Sequence, residues 1–201
     1  MNTANGNYPV VVGISGASGS LLARATVERL LSMEQPVIAT ATAAARMVWQ
    51  QEMDESFGVA LERWADSENF RYYPVGDLAA PIASGSFPTA GMVVTPCSMA
   101  TVAAISHGAA DNLLRRAADV TLKERRPLVI VPRETPLTAV HLENMATLAR
   151  HAVTILPPHP PFYLGTDSIQ SVVDFVVERT LVALGLNDQL PETMIYKELD
   201  D

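Results

Sequence analysis

Cysteine is nearly missing from this chain: Cys97 is the only one in 201 residues. That excludes a disulfide framework and a cysteine-based structural zinc site. Charge is also scarce, at 18% of residues, and it leans acidic, with 14 Lys and Arg against 22 Asp and Glu for a net charge of −8. An acidic chain repels nucleic acid and anionic membrane, so neither is an expected partner. No run approaches the roughly 18 uninterrupted apolar residues of a membrane span. The first charged side chain is Arg24, and the apolar stretch after Pro9 is broken by Gly13, Gly16 and Gly19. That stretch lacks the form of a secretory leader, and a cytoplasmic protein is expected. The four histidines, His107, His141, His151 and His159, form no H-x-x-x-H pair and no triad with carboxylates, so no metal is expected. Neither Ser15 nor Ser18 stands in G-x-S-x-G, which excludes the hydrolase elbow.

Apolar residues are plentiful, at 48%. Length and composition suit one domain over 1–201, with 1–8 and about 187–201 as flexible or interface tails. So little charge implies surface buried between copies, hence a homo-oligomer.

Short β-branched runs alternate with helical patterns. Strands are expected at Pro9–Ile14, Val37–Thr42, Phe70–Val75, Met92–Thr95, Leu128–Val131 and Val153–Leu156, with Pro96 and Pro132 as stops. Helices are expected up to Met33, over Ala43–Glu52, from Ser98 to Arg125 with a break near Gly108, and over Thr138–His151. A last helix is expected from an Asp167 cap, burying Ile169, Val172, Val173, Val176, Val177 and Leu184. Residues 76–89 form an irregular Gly/Pro/Ser loop. The pattern is that of an α/β three-layer sandwich, flavodoxin-like or Rossmann-like, with a mostly parallel, doubly wound sheet. In such folds ligands sit beyond the carboxyl ends of the strands.

The first strand end, Gly13-Ile14-Ser15-Gly16-Ala17-Ser18-Gly19-Ser20, is glycine-rich and opens a helix whose N–H groups suit an anion. Its G-x-x-G-x-x-G spacing is not the dinucleotide fingerprint. No carboxylate ends the second strand, and no Lys follows the glycines, so a mononucleotide phosphate fits better than NAD or ATP. The alternative is a tight turn with no ligand. Pro96-Cys97-Ser98-Met99-Ala100-Thr101 offers hydroxyls at a second helix start, and Cys97 could be a thiolate there or simply a buried residue. Arg133-Glu134 ends the fifth strand: Arg suits a phosphate or flavin carbonyl and Glu suits proton transfer, although a surface ion pair would look the same. Arg116 and Lys123 share a helical face, while Arg125 and Arg126 are expected to be solvated. Tyr163 and Arg179 could together clamp a phosphate.

Gly13–Gly19, Ser84-Gly85-Ser86-Phe87, Pro96-Cys97-Ser98, Arg116–Val120, Leu122–Arg125, Pro132–Leu137, His141–Met145 and Phe162-Tyr163 recur in the order seen in a known family. From about Pro9 to Gly185 the chain resembles the UbiX-type flavin prenyltransferases. The resemblance implies a flavodoxin-like homododecamer with sites between subunits and no metal. It implies transfer of a dimethylallyl group from dimethylallyl monophosphate to N5 and C6 of reduced FMN, giving prenylated FMN for a UbiD-type decarboxylase. It assigns Gly16, Ala17, Ser18, Thr42, Ser98, Met99, Ala100, Thr101 and Arg133 to FMN. Glu134 becomes the acid/base, Ser18 a proton shuttle and Glu52 a second carboxylate, and Arg116, Lys123, Tyr163 and Arg179 grip the donor's phosphate. Ala43 stands where a Lys is common, Ser20-Leu21-Leu22 replaces a Tyr-Gly, and no Trp follows Leu190. Two other readings are a flavin-dependent cysteine decarboxylase and a non-catalytic FMN-binding subunit of a decarboxylase complex.

Overall fold

The computed structural model describes residues 8–165 and 167–196; the expected tail residues 1–7 and 197–201 lie outside the described residues. Six strands form one sheet: β1 (Val10–Ile14), β2 (Val37–Ala41), β3 (Phe70–Tyr72), β4 (Gly91–Cys97), β5 (Leu128–Pro132) and β6 (Thr154–Ile155). Their order is β3-β2-β1-β4-β5-β6, and every pairing is parallel. The chain therefore reverses its winding between β1 and β4, which opens a crevice at their carboxyl ends.

The four central strands, β1, β2, β4 and β5, are buried on both faces, because their apolar residues run without alternation. Val10, Val12 and Ile14 face one core, joined by α1 (Ser20–Ser32), α2 (Ala43–Glu52), α3 (Phe57–Ala65) and α7 (Ile169–Ala183). Val11, Met92, Val94 and Ile130 face the other, under α4 (Met99–Ser106), α5 (Leu113–Lys123) and α6 (Ala139–Arg150). Five aromatic rings, Trp49, Phe57, Trp64, Phe70 and Tyr72, stack largely edge-to-face beneath α2 and α3. Trp49 is wholly buried and its indole N–H donates to Glu55 O at 3.0 Å.

Several boundaries differ from expectation. α3 was not foreseen; Ser56 caps it by accepting from the Val59 amide, and Phe57, Ala60 and Trp64 supply its buried face. Pro96 does not stop β4: the pairing with β5 skips from Val94↔Ile130 to Cys97↔Pro132, and an irregularity of this kind accommodates a residue that lacks an N–H. Pro132 likewise closes β5 instead of following it. α7 is capped by Ser168, not Asp167, because Ser168 and Ser171 exchange capping bonds three residues apart. Ile169, expected in the core, is 77% exposed, and Leu181 is buried in the helix face instead.

Candidate active site

The crevice between β1 and β4 is closed by hydroxyl groups. Ser15, 1% exposed, donates from Oγ to Pro96 O at 3.1 Å and accepts from the Ser98 amide at 2.8 Å. Ser98 caps α4 by accepting from the Thr101 amide, and its Oγ lies 3.1 Å from Thr101 Oγ1. The Met99 side chain turns into the core, so Met99 can offer the crevice only its backbone. At the end of β2, Thr42 Oγ1 accepts from the Ala45 amide and caps α2.

The glycine turn is built for close approach. A Cβ on Gly16 would stand 2.4 Å from Ala44 Cβ, so α2 can close over the turn only because residue 16 is glycine. Gly19 has φ of 120°, which side chains other than hydrogen rarely adopt. The amides expected to await an anion have found one within the chain. Glu52, at the end of α2, accepts from the Gly19 amide at 2.9 Å and the Ser20 amide at 2.8 Å. Partial burial raises its pKa, but the Ser18 hydroxyl and these two amides together outweigh that and hold it below the ordinary value. The start of α1 is therefore a carboxylate site in this structure, with the Ser18 hydroxyl beside Glu52.

Arg133 and Glu134 stand at the end of β5. They form no ion pair with each other. Arg133 Nε donates to Ser18 O at 3.2 Å, which ties β5 to the glycine turn. Glu134 is exposed and accepts from the Thr135 amide at 3.1 Å. Both line a cleft of about 470 Å³ walled by Pro132, Leu137, Met145, Pro157 and Pro158. His159, given no role by the sequence, lies in the same cleft. Its one signal in the sequence is position: it sits between prolines directly after β6.

The basic residues are not gathered there. Arg116 donates to Ala83 O at 3.0 Å and pairs with Asp119 at 2.7 Å. Lys123, the last residue of α5, pairs with Glu124, and its Nζ lies against Gly85 in the loop before β4. Tyr163 lies on a short turn, its ring packed edge-on against Tyr196 at 5.5 Å. Arg179 is exposed on α7, about 15 Å along from the helix start. One further expectation is corrected, at Arg126, and the buried alternative holds for Cys97. Arg126 is not a solvated surface charge: it donates to Gly85 O, Phe87 O and Thr89 Oγ1 and fastens the loop before β4. Cys97 is fully buried, and burial pushes its pKa up to about 12, so it is a thiol and no nucleophile at neutral pH.

The family described as Flavoprotein matches residues 1–181. A flavin prenyltransferase UbiX from Synechocystis is 41% identical over 189 residues, covering 89% of this chain and 92% of its own. A dodecameric FMN-dependent UbiX-like decarboxylase from Escherichia coli O157:H7 superposes with a TM-score of 0.86 at 39% identity, covering 94% of this chain and 100% of that one. The chain belongs to the flavoprotein family and, within it, to the UbiX flavin prenyltransferases. A further UbiX structure, solved with FMN and dimethylallyl pyrophosphate, matches with a TM-score of 0.86 at 36% identity, covering 96% of this chain and 99% of its own. Ser98, Thr101 and the first amides of α4 are groups that suit the polar edge of a flavin, and Arg133 is one that suits its carbonyl. Among the described residues no three His, Cys, Asp or Glu side chains group as a metal cage, and no helix is long and apolar enough to cross a membrane.

Proposed function

We propose that this chain joins a dimethylallyl group from dimethylallyl monophosphate to N5 and C6 of reduced FMN, and that the prenylated FMN serves a UbiD-type decarboxylase in the cytoplasm. The observation that carries this reading is the Arg133–Ser18 bond, which holds the Glu134 cleft beside the hydroxyl-lined crevice. A flavin held by Gly16, Ala17, Ser18, Thr42, Arg133 and the Ser98–Thr101 turn leaves the cleft for the donor.

Reduced FMN supplies an electron-rich ring, so the protein needs no nucleophile of its own. When the donor's C–O bond breaks, the electron pair leaves on phosphate and positive charge develops on the allylic carbon. Arg and Lys stabilise the first in advance. Holding the carbon against the ring supplies the orientation. Glu134 exchanges a proton with the departing phosphate, and Ser18, fixed by Glu52, relays one from the acceptor.

Arg116, Lys123, Tyr163 and Arg179 grip the phosphate, some of them from a neighbouring copy. This requires a homo-oligomer, for which a dodecamer is proposed as in the Escherichia coli relative. Phe162, 85% exposed, and Ile169 offer apolar surface beside Tyr163 that a second copy would cover. Anaerobic incubation with reduced FMN and dimethylallyl monophosphate tests the reading. A flavin heavier by one C5 unit is expected; flavin recovered unchanged with both the monophosphate and the diphosphate would overturn it.

A further inference from the structure

Of the four histidines, two have work inside the fold. The His107 ring bonds Ala103 O at 2.9 Å and Ser106 Oγ at 3.0 Å, and the His141 ring accepts from the Thr138 amide in the cap of α6. His151 lies at the opposite edge of the sheet, in a second cleft with Arg125 and Arg126. His159 differs from all three. Among the described residues its ring makes no hydrogen bond, it is exposed, and it lines the Glu134 cleft. Pro157, Pro158, Pro160 and Pro161 surround it, and its amide donates back to Pro157 O at 2.8 Å. Proline fixes φ on both sides, so the imidazole is mounted on a stiff segment at the cleft rim.

The charged groups that face it are few. Arg133 and Glu134 come from the end of β5; Thr135 and Leu137 come from the following loop, Met145 from α6, and otherwise only prolines line the cleft. Arg133 and Glu134 cancel in formal charge. A protonated imidazole would give the cleft its net positive charge, and a neutral one would leave none. Imidazole is the side chain whose charge changes within the physiological range.

We propose that His159 is a titratable contact for the donor's phosphate, which tightens donor binding as its imidazole takes up a proton. This rests on the reading that Glu134 and its cleft receive the donor. The sign follows from linkage. A bound phosphate dianion favours imidazolium, so donor binding takes up a proton, and the benefit is present at low pH and lost as the ring deprotonates.

The test compares wild type with His159→Gln across about pH 5.5 to 8.5, the range in which imidazole changes charge. The variant-to-wild-type ratio of KM for dimethylallyl monophosphate should be about fivefold near the acid end and fall to one at the alkaline end, with kcat retained. The free phosphate's own titration is common to both proteins and cancels in the ratio. Calorimetry on the protein loaded with oxidised FMN, in two buffers of different ionisation enthalpy, gives a readout without turnover. Proton uptake on binding dimethylallyl monophosphate should be smaller in His159→Gln. A ratio that does not change with pH, or equal proton uptake, would overturn the proposal. Glu134→Gln separates the two levels: if it is fully active, the underlying reading fails; if it is slow while His159→Gln matches wild type, only the role of His159 fails.

Discussion

At the β1–β4 crevice Ser15, Glu52 and Arg133 are each answered from within one chain. Ser15 meets Pro96 and Ser98, Glu52 meets the start of α1, and Arg133 meets Ser18. The basic residues are organised in the opposite way. Arg116 is turned to Ala83 and Asp119, Lys123 pairs with Glu124 at the end of α5, and Arg179 is exposed on α7. One half of the site is a finished pocket and the other is a set of parts facing outward. On the proposed reading, the flavin crevice is supplied by a single chain, while the phosphate grip is completed only in the assembly.

Substitutions in the two halves should therefore fail differently. The largest effect is expected at Glu134. Glu134→Gln should keep FMN binding and slow prenylation by about a hundredfold or more, as loss of a general acid/base does, measured as single-turnover product formation. Trp49→Ala removes the centre of the aromatic cluster and should cost about 3–5 kcal/mol in a denaturant titration, without touching the chemistry directly. Arg116→Ala should raise the donor KM by about tenfold, the worth of one charge-assisted contact, and leave the monomer's thermal stability nearly unchanged. If FMN affinity fell instead, Arg116 would belong to the crevice and the contrast would be wrong.

The smallest effect concerns Glu52. Its pKa is lowered in the folded chain, so its contribution to stability is full above the ordinary value of 4.5 and is lost as pH falls through the lower folded value. The Tm of wild type should exceed that of Glu52→Gln near neutrality, and the gap should close in acid. A gap that widens in acid would mean that the α1 amides do not hold the carboxylate.

Much of this was legible in the sequence. The β-branched runs and helical stripes gave the order of strands and helices, because parallel strands buried on both faces are uninterrupted apolar segments. Glu134 and Arg133 stood out as charges at a strand end, and the glycine turn announced a close approach. Other features depend on contacts that no local pattern encodes. Glu52 meets Gly19 across 33 residues, so the turn looked like a free anion site. Arg126 reads locally as one more charge in a basic run, because the two loop carbonyls and the hydroxyl it bonds lie 37 to 41 residues away. Pro96 breaks a strand by rule, yet here the ladder skips around it. His159 has no partner in the sequence, and only the cleft shows what it faces.

The central claim, that each site is completed by a second copy, is tested most directly by complementation. Glu134→Gln and Lys123→Ala chains would be co-expressed and purified as mixed oligomers, and the rate of flavin prenylation compared with that of each pure variant. In a mixed oligomer, some sites pair an intact Glu134 from one chain with an intact Lys123 from another, so activity well above either variant is predicted. Mixed oligomers no more active than the pure variants would contradict the account.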